Sequence, residues 1–226
     1  MSQYICVDIG GTSIKHGVLD ENAIIKECNQ TKTEAWLGGA AVLDKVKTIG
    51  KQYKEQYENI EGICISTAGM VDPEEGKIVF AGELMPDYTG TCIKKELEKA
   101  LEMPCEVEND VNCAGLAEYV SGSAKESHIM FCATVGTGIG GCAIVNGRVF
   151  HGASNSACEV GYIPMGDSDF QTLGASSILV RKVAEKKIEP LDMWDGKKIF
   201  ALAEKGDKVC ISAIKEMCDV LGKGLA

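Results

Sequence analysis

No run of lysine and arginine occurs anywhere in the 226 residues, and with 33 acidic against 23 basic side chains the net charge is −10. A nucleic-acid surface needs a basic patch, so no nucleic-acid partner is expected. No apolar stretch approaches the ~20 residues that cross a bilayer, and the chain opens on a β-type run instead of a leader, so a cytoplasmic protein with no membrane partner is expected. The eleven cysteines include no C-x-x-C pair and stand mostly in apolar runs such as Ile63-Cys64-Ile65 and Phe131-Cys132-Ala133. That set argues against a disulfide framework or a zinc cluster, and for small buried thiols in a reducing compartment. The three histidines, His16, His128 and His151, are too scattered to add metal-binding material. Low-complexity tracts and linkers are missing too. At 45% hydrophobic and 25% charged, the composition is that of a globular protein of one large domain or two small ones.

What is present is concentrated in two glycine-rich turns, each leaving an apolar β-type run: Asp8-Ile9-Gly10-Gly11-Thr12, and Gly136-Thr137-Gly138-Ile139-Gly140-Gly141. The first lies between Tyr4-Ile5-Cys6-Val7 and Ile14-Lys15-His16-Gly17-Val18-Leu19, which reads as a hairpin whose backbone N–H groups face an anion. Glycine suits such a turn because a Cβ would hold phosphate oxygens away, and because positive φ costs it nothing. The second matches G-x-G-x-x-G through Gly136, Gly138 and Gly141, the dinucleotide fingerprint, but fails on context. A dinucleotide turn opens a helix, whereas Cys142-Ala143-Ile144-Val145-Asn146-Gly147-Arg148-Val149 is a strand with an Asn-Gly hairpin. Two phosphate turns of this kind suggest two grips on one polyphosphate.

The pattern predicts a meander of strands at 4–8, 14–20 and 23–28, then a long helix at 36–57 with Ala40, Leu43, Val46 and Ile49 on its apolar face. Strands follow at 61–67 and 77–81, a helix at 91–101, a strand at 105–108 and a helix at 110–121. Strands at 128–135, 140–146 and 148–150 precede helices at 172–187, 195–204 and 207–221, the last ending at Gly222 and Gly224. Meander, helix, strand, helix, strand, helix is the order of a ribonuclease-H-like half-domain, and the chain begins it twice. The expectation is an α/β protein of two half-domains flanking a cleft, residues 1–115 and 116–226, the second incomplete. Asp110, at a strand end and helix start, then reads either as a helix cap or as a general base in the cleft.

Asp8-Ile9-Gly10-Gly11-Thr12, Asn109-Asp110-Val111-Asn112, the second glycine turn and Ala157-Cys158-Glu159-Val160-Gly161, in that order, resemble the ROK family of sugar kinases and sugar-responsive repressors. That family belongs to the superfamily of actin, hexokinase and the heat-shock chaperone ATPase. The resemblance covers the chain, which stops short of the family's usual end, so an incomplete and even inactive nucleotide site is among the expectations. It implies an ATP- and magnesium-dependent kinase acting on a hexose or hexose derivative, as a homodimer. Asp110 would be the catalytic base and Asp8 the magnesium ligand, through water. Gly10, Gly11, Thr12, Lys15, Gly136, Thr137, Gly138 and Gly140 would bind phosphates, and Gly69, Asn109, Asp110, Glu159, Tyr162 and Gln171 the sugar.

The chain departs from the family pattern at Tyr162, where histidine is usual, and at Gln171, in the slot of a glutamate. Pro164 to Gln171 also lacks the family's cysteine-rich zinc segment, so no zinc is expected. Alternatives within the kinase class are a β-glucoside kinase and an N-acyl amino-sugar kinase. Outside it stands a non-catalytic sugar-binding protein. A DNA-binding repressor would need a helix-turn-helix ahead of Asp8, where no room exists.

Overall fold

The computed structural model describes residues 1–82 and 85–226. The chain divides into two compact units, residues 1–114 with 152–156, and residues 115–151 with 157–226.

The first unit is built on a sheet of five strands among the described residues. β1 (Gln3–Ile9), β2 (Ser13–Asp20) and β3 (Ile25–Lys32) form the antiparallel meander, and β4 (Ile60–Thr67) and β7 (Cys105–Asn109) extend it in parallel with β1, in the order β3-β2-β1-β4-β7. Alternation along β1 sends Ile5, Val7 and Ile9 into a core with Val46 and Ile49 of α1 (Gly39–Gln56) and Leu97 and Leu101 of α2 (Ile93–Leu101). The opposite face carries Cys6 and Asp8 of β1, Cys64 and Ser66 of β4, and Glu106 and Glu108 of β7 in register. A small hairpin, β5 (Met70–Asp72) with β6 (Lys77–Phe80), follows β4. Helix α3 (Asp110–Ser121) starts directly at the end of β7.

The second unit holds an antiparallel sheet of β8 (Ile129–Val135), β9 (Ile139–Val145) and β10 (Arg148–Val149), in the order β10-β9-β8. A two-residue-strand hairpin, β11 (Pro164–Met165) with β12 (Ser168–Asp169), leads into α4 (Phe170–Gly174). Then come α5 (Ser176–Lys187), α6 (Gly196–Glu204) and α7 (Lys208–Leu225). Phe170, fully buried, packs with Ile139 and Ala175, while Leu179, Val183, Trp194, Ile199, Cys210 and Ala213 form a separate helical core.

Element order agrees with expectation, and the differences have local causes. The third strand begins at Ile25 because Asp20 captures the N–H groups of Asn22 at 2.9 Å and Ile24 at 3.0 Å, with Ala23 left-handed at φ 59°. The helix expected from residue 36 starts only at Gly39: Gly38 at φ 88° separates it from a single 3₁₀ turn at Ala35–Leu37. Its buried stripe runs through Val42, Leu43, Val46, Ile49 and Tyr53, and Ala40 is exposed. The helix expected over 172–187 is two helices, divided at extended Ala175. The last helix does not stop at its glycines but continues to Leu225. A Cβ on Gly224 would lie 2.4 Å from the Phe170 ring, so that glycine is there for close packing.

Candidate active site

In the first unit the parallel strands β1, β4 and β7 all deliver their carboxyl ends to one edge of the sheet, the edge where α/β proteins bind ligands. β1 ends in Asp8, β4 in Ser66, Thr67 and then Gly69, and β7 in Asn109 followed by Asp110. Pairing puts Asp8 opposite Ser66 and Ser66 opposite Glu108, and the Ser66 hydroxyl donates to Asp8 Oδ1 at 2.8 Å. Lys15 Nζ stands 3.7 Å from the other oxygen of Asp8, with both side chains largely in water. Ser66 carries no sequence signal of its own. Only the strand register reveals it.

Asn109 and Asp110 share out their tasks. Asn109 caps α3: its Oδ1 accepts from Val111 N–H at 2.9 Å and Asn112 N–H at 3.1 Å, while its Nδ2 donates to the Gly69 carbonyl at 2.9 Å and to Asp110 Oδ1 at 3.0 Å. Gly69 must be glycine, since its φ is 99° and a Cβ would meet the Phe80 carbonyl at 2.7 Å. The hydrogen bonds to Asp110 from Asn109 and from Val111 N–H, each 3.0 Å, both fall on Oδ1. Burial, and then the charge of Asp8, raise the Asp110 pKa above the ordinary aspartate value, against the opposing hydrogen bonds. A carboxyl so placed is a stronger base once ionised than an exposed one.

The first glycine turn is a hairpin loop between paired Ile9 and Ile14, closed by Gly10 N–H on the Ser13 carbonyl at 3.1 Å. The N–H groups of Gly11 and Thr12 donate to no acceptor among the described residues. Neither Gly10 nor Gly11 has a positive φ, contrary to the expectation from sequence, and a Cβ on Gly11 would meet nothing within 4 Å. That residue leaves open space in front of the turn.

The second turn lies wholly in the second unit. Val135 pairs with Ile139, and Gly136 N–H closes the loop on the Gly138 carbonyl at 2.9 Å. Its glycines also avoid positive φ. The start of α5 is fastened beneath it: Ser176 Oγ donates to the Val135 carbonyl at 3.1 Å and Ser177 Oγ to the Thr137 carbonyl at 2.6 Å. Gln171 packs against this turn, for a Cβ on Gly138 would fall 2.6 Å from its Oε1 and one on Gly161 3.1 Å. Glu159 precedes a 3₁₀ turn at Val160–Tyr162, and Tyr162 is exposed. Beside the turn lies a depression of about 660 Å³ lined by Gly136, Thr137, Ser176, Ser177, Asp192 and Trp194, among others. Trp194 is buried, its indole N–H has no partner among the described residues, and Lys198 Nζ stands 4.1 Å from the ring centre. Sequence reasoning missed Ser176, Ser177 and Trp194, which a helix break at Ala175 brings to the turn. Among the described residues no group of three or more His, Cys, Asp or Glu side chains is arranged to hold a metal, and no helix is long and apolar enough to cross a membrane.

Paired carboxylates at the ends of parallel strands and two glycine turns define a phosphotransferase of the actin-like ATPase fold. The chain belongs to the ROK family, whose model matches residues 4–226. An uncharacterized protein of Clostridium perfringens is 46% identical over all of this chain and 76% of its own length. The β-glucoside kinase of Klebsiella pneumoniae is 31% identical, with 96% of this chain and 74% of that protein covered. The ROK glucokinase of Streptomyces griseus, solved with glucose and AMPPNP, superposes with a TM-score of 0.85 at 27% identity over 99% of this chain and 78% of its own. The chain thus spans about three quarters of the length of these relatives, which include sugar kinases that use ATP.

Proposed function

We propose that the chain transfers the γ-phosphate of ATP to a hydroxyl of a hexose or hexose derivative, with Asp110 as general base. The single observation that carries this is the division of labour at the end of β7. Asn109 does the capping, which leaves Asp110 a carboxyl whose hydrogen bonds from Asn109 and Val111 both fall on Oδ1. Asp110 Oδ2 then takes the proton of the attacking hydroxyl, and Asn109 holds the carboxylate in place and contributes to sugar binding with Gly69.

Asp8, oriented by Ser66, suits a magnesium ion bound through water, since that ion keeps several waters and needs few protein carboxylates beside the phosphates. When bound, the metal neutralises charge on the transferred phosphoryl group. Gly11 and Thr12 offer N–H groups to phosphate oxygens, Gly10 shapes their turn, and Lys15 adds a mobile positive charge. Thr137, Gly138 and Gly140 serve phosphate oxygens at the second turn, which Gly136 closes, and the depression beside it takes the nucleoside. Trp194 forms part of its wall.

Glu159 accepts sugar hydroxyls. Tyr162 presents an exposed ring to the C–H face of a sugar or to an aglycone, and Gln171, an amide leaning on the second turn, holds the anomeric side more weakly than a carboxylate would. We therefore assign substrates substituted at C1 at least equal rank with free glucose. The protein is further proposed to act in the cytoplasm as a homodimer, with magnesium, without zinc and without a nucleic-acid partner. A coupled assay of ADP release tests the substrate assignment over glucose, methyl β-glucoside, cellobiose and N-acetylated amino sugars. A hundredfold preference for free glucose in kcat/KM, about 2.7 kcal/mol, would overturn the reading of Tyr162 and Gln171.

A further inference from the structure

One step along the strands from Asp8 and Ser66, on the same face of the sheet, Cys6 of β1 stands opposite Cys64 of β4. Register partners on adjacent strands lie about 4.8 Å apart, within the Cα separation a disulfide spans. The two side chains leave the same face of the sheet from paired positions and interact with each other. Cys64 is open to solvent and Cys6 half-buried behind it. We propose that Cys6 and Cys64 are a redox-sensitive dithiol, Cys64 being the site of attack on hydrogen peroxide and Cys6 the resolving thiol.

The chemistry closes without a further reactant. The Cys64 thiolate attacks one peroxide oxygen, the O–O bond breaks, hydroxide leaves, and Cys64 becomes a sulfenic acid. The Cys6 sulfur then attacks the Cys64 sulfur, the S–O bond breaks, and the Cys6 proton leaves with the hydroxyl as water. The two thiols have lost a pair of electrons and two protons, and peroxide has been reduced to water. A third thiol, Cys113 of α3, is pushed up to about 12 by burial first and Glu108 second, so it remains an inert thiol.

The bond would tighten β1 against β4 one rung from the 2.8 Å contact between Ser66 and Asp8. Its effect on turnover rests on the kinase reading, but its formation does not. The purified chain is treated with hydrogen peroxide, blocked with iodoacetamide and mapped by mass spectrometry. The expected product is a Cys6–Cys64 linked peptide pair that dithiothreitol reverses. Cys6→Ser should leave a Cys64 sulfenic acid that dimedone traps, and Cys64→Ser should leave Cys6 alkylated. Finding both thiols alkylated while exposed Cys28 or Cys218 is oxidised would overturn the proposal, as would a Cys64–Cys113 link. Kinase activity should fall with the linked pair, return on reduction and resist peroxide in Cys64→Ser. A linked pair with unchanged turnover would overturn the coupling to Asp8.

Discussion

Both glycine turns close a hairpin in the same manner, with the leading glycine's N–H satisfied inside the loop and the next N–H groups donating to no acceptor among the described residues. Their surroundings differ. The first leaves a strand that runs parallel to two others, so carboxylates from two of the three strand ends stand there, Asp8 on β1 and Glu108 and Asp110 at the end of β7. The second leaves a purely antiparallel sheet and is backed by two serines at the start of α5, with the uncharged Gln171 amide packed against it. On our proposal metal and base act at the first turn, and the nucleoside belongs with the second, where no row of carboxylates repels an anion.

Removing charge at the first turn should be the most damaging change. Asp110→Asn is expected to lower kcat by about 10²–10⁴ with sugar binding retained, read by steady-state assay and sugar titration. The folded pKa of Asp110 lies above its unfolded value, so ionisation at neutral pH costs stability, a cost that disappears as pH falls below the ordinary aspartate range. Asp110→Asn should therefore melt no lower than the parent at neutral pH, and lose any advantage in acid. The acid limb of kcat/KM should fall above the usual aspartate range. A lower melting temperature together with a normal kcat would make Asp110 structural.

Ser66→Ala should act more mildly, weakening magnesium activation by about 10–100-fold as a lost outer partner of a metal ligand does, with the sugar KM unchanged. A magnesium titration of activity decides it.

At the glycines the comparison concerns shape. Gly11→Ala and Gly136→Ala meet no neighbour within 4 Å, so both should fold with little change in melting temperature and raise the KM for ATP. Gly115→Ala brings a Cβ to 2.6 Å from Cys142 Sγ and should cost about 1–3 kcal/mol of stability. An unchanged KM for ATP in both turn variants would remove the phosphates from these loops.

The smallest effect should be optical. With exposed Trp36 replaced by Phe, titration with a non-hydrolysable ATP analogue should change the emission of Trp194, and Asp8→Asn should leave that change largely in place. No response would move the nucleoside elsewhere.

Much of this was legible in the chain. Period-two and helical patterns located the elements, and the glycine turns and Asn109-Asp110 marked the chemistry, because each is a local requirement of a short run of residues. The ambiguity of Asp110 between cap and base was not local. What bears on it is Asn109, whose side chain reaches both the helix start and Gly69, 40 residues earlier. Ser66 beside Asp8, Cys64 beside Cys6, and Ser176 and Ser177 beneath the second turn depend on strand register and on a helix break at an ordinary alanine. By itself the sequence determined the order of elements, the two anion turns and the family. Tertiary structure alone decided which side chains stand together at the strand ends, because pairing between segments some 58 residues apart follows from the packing of whole faces and leaves no mark in either segment.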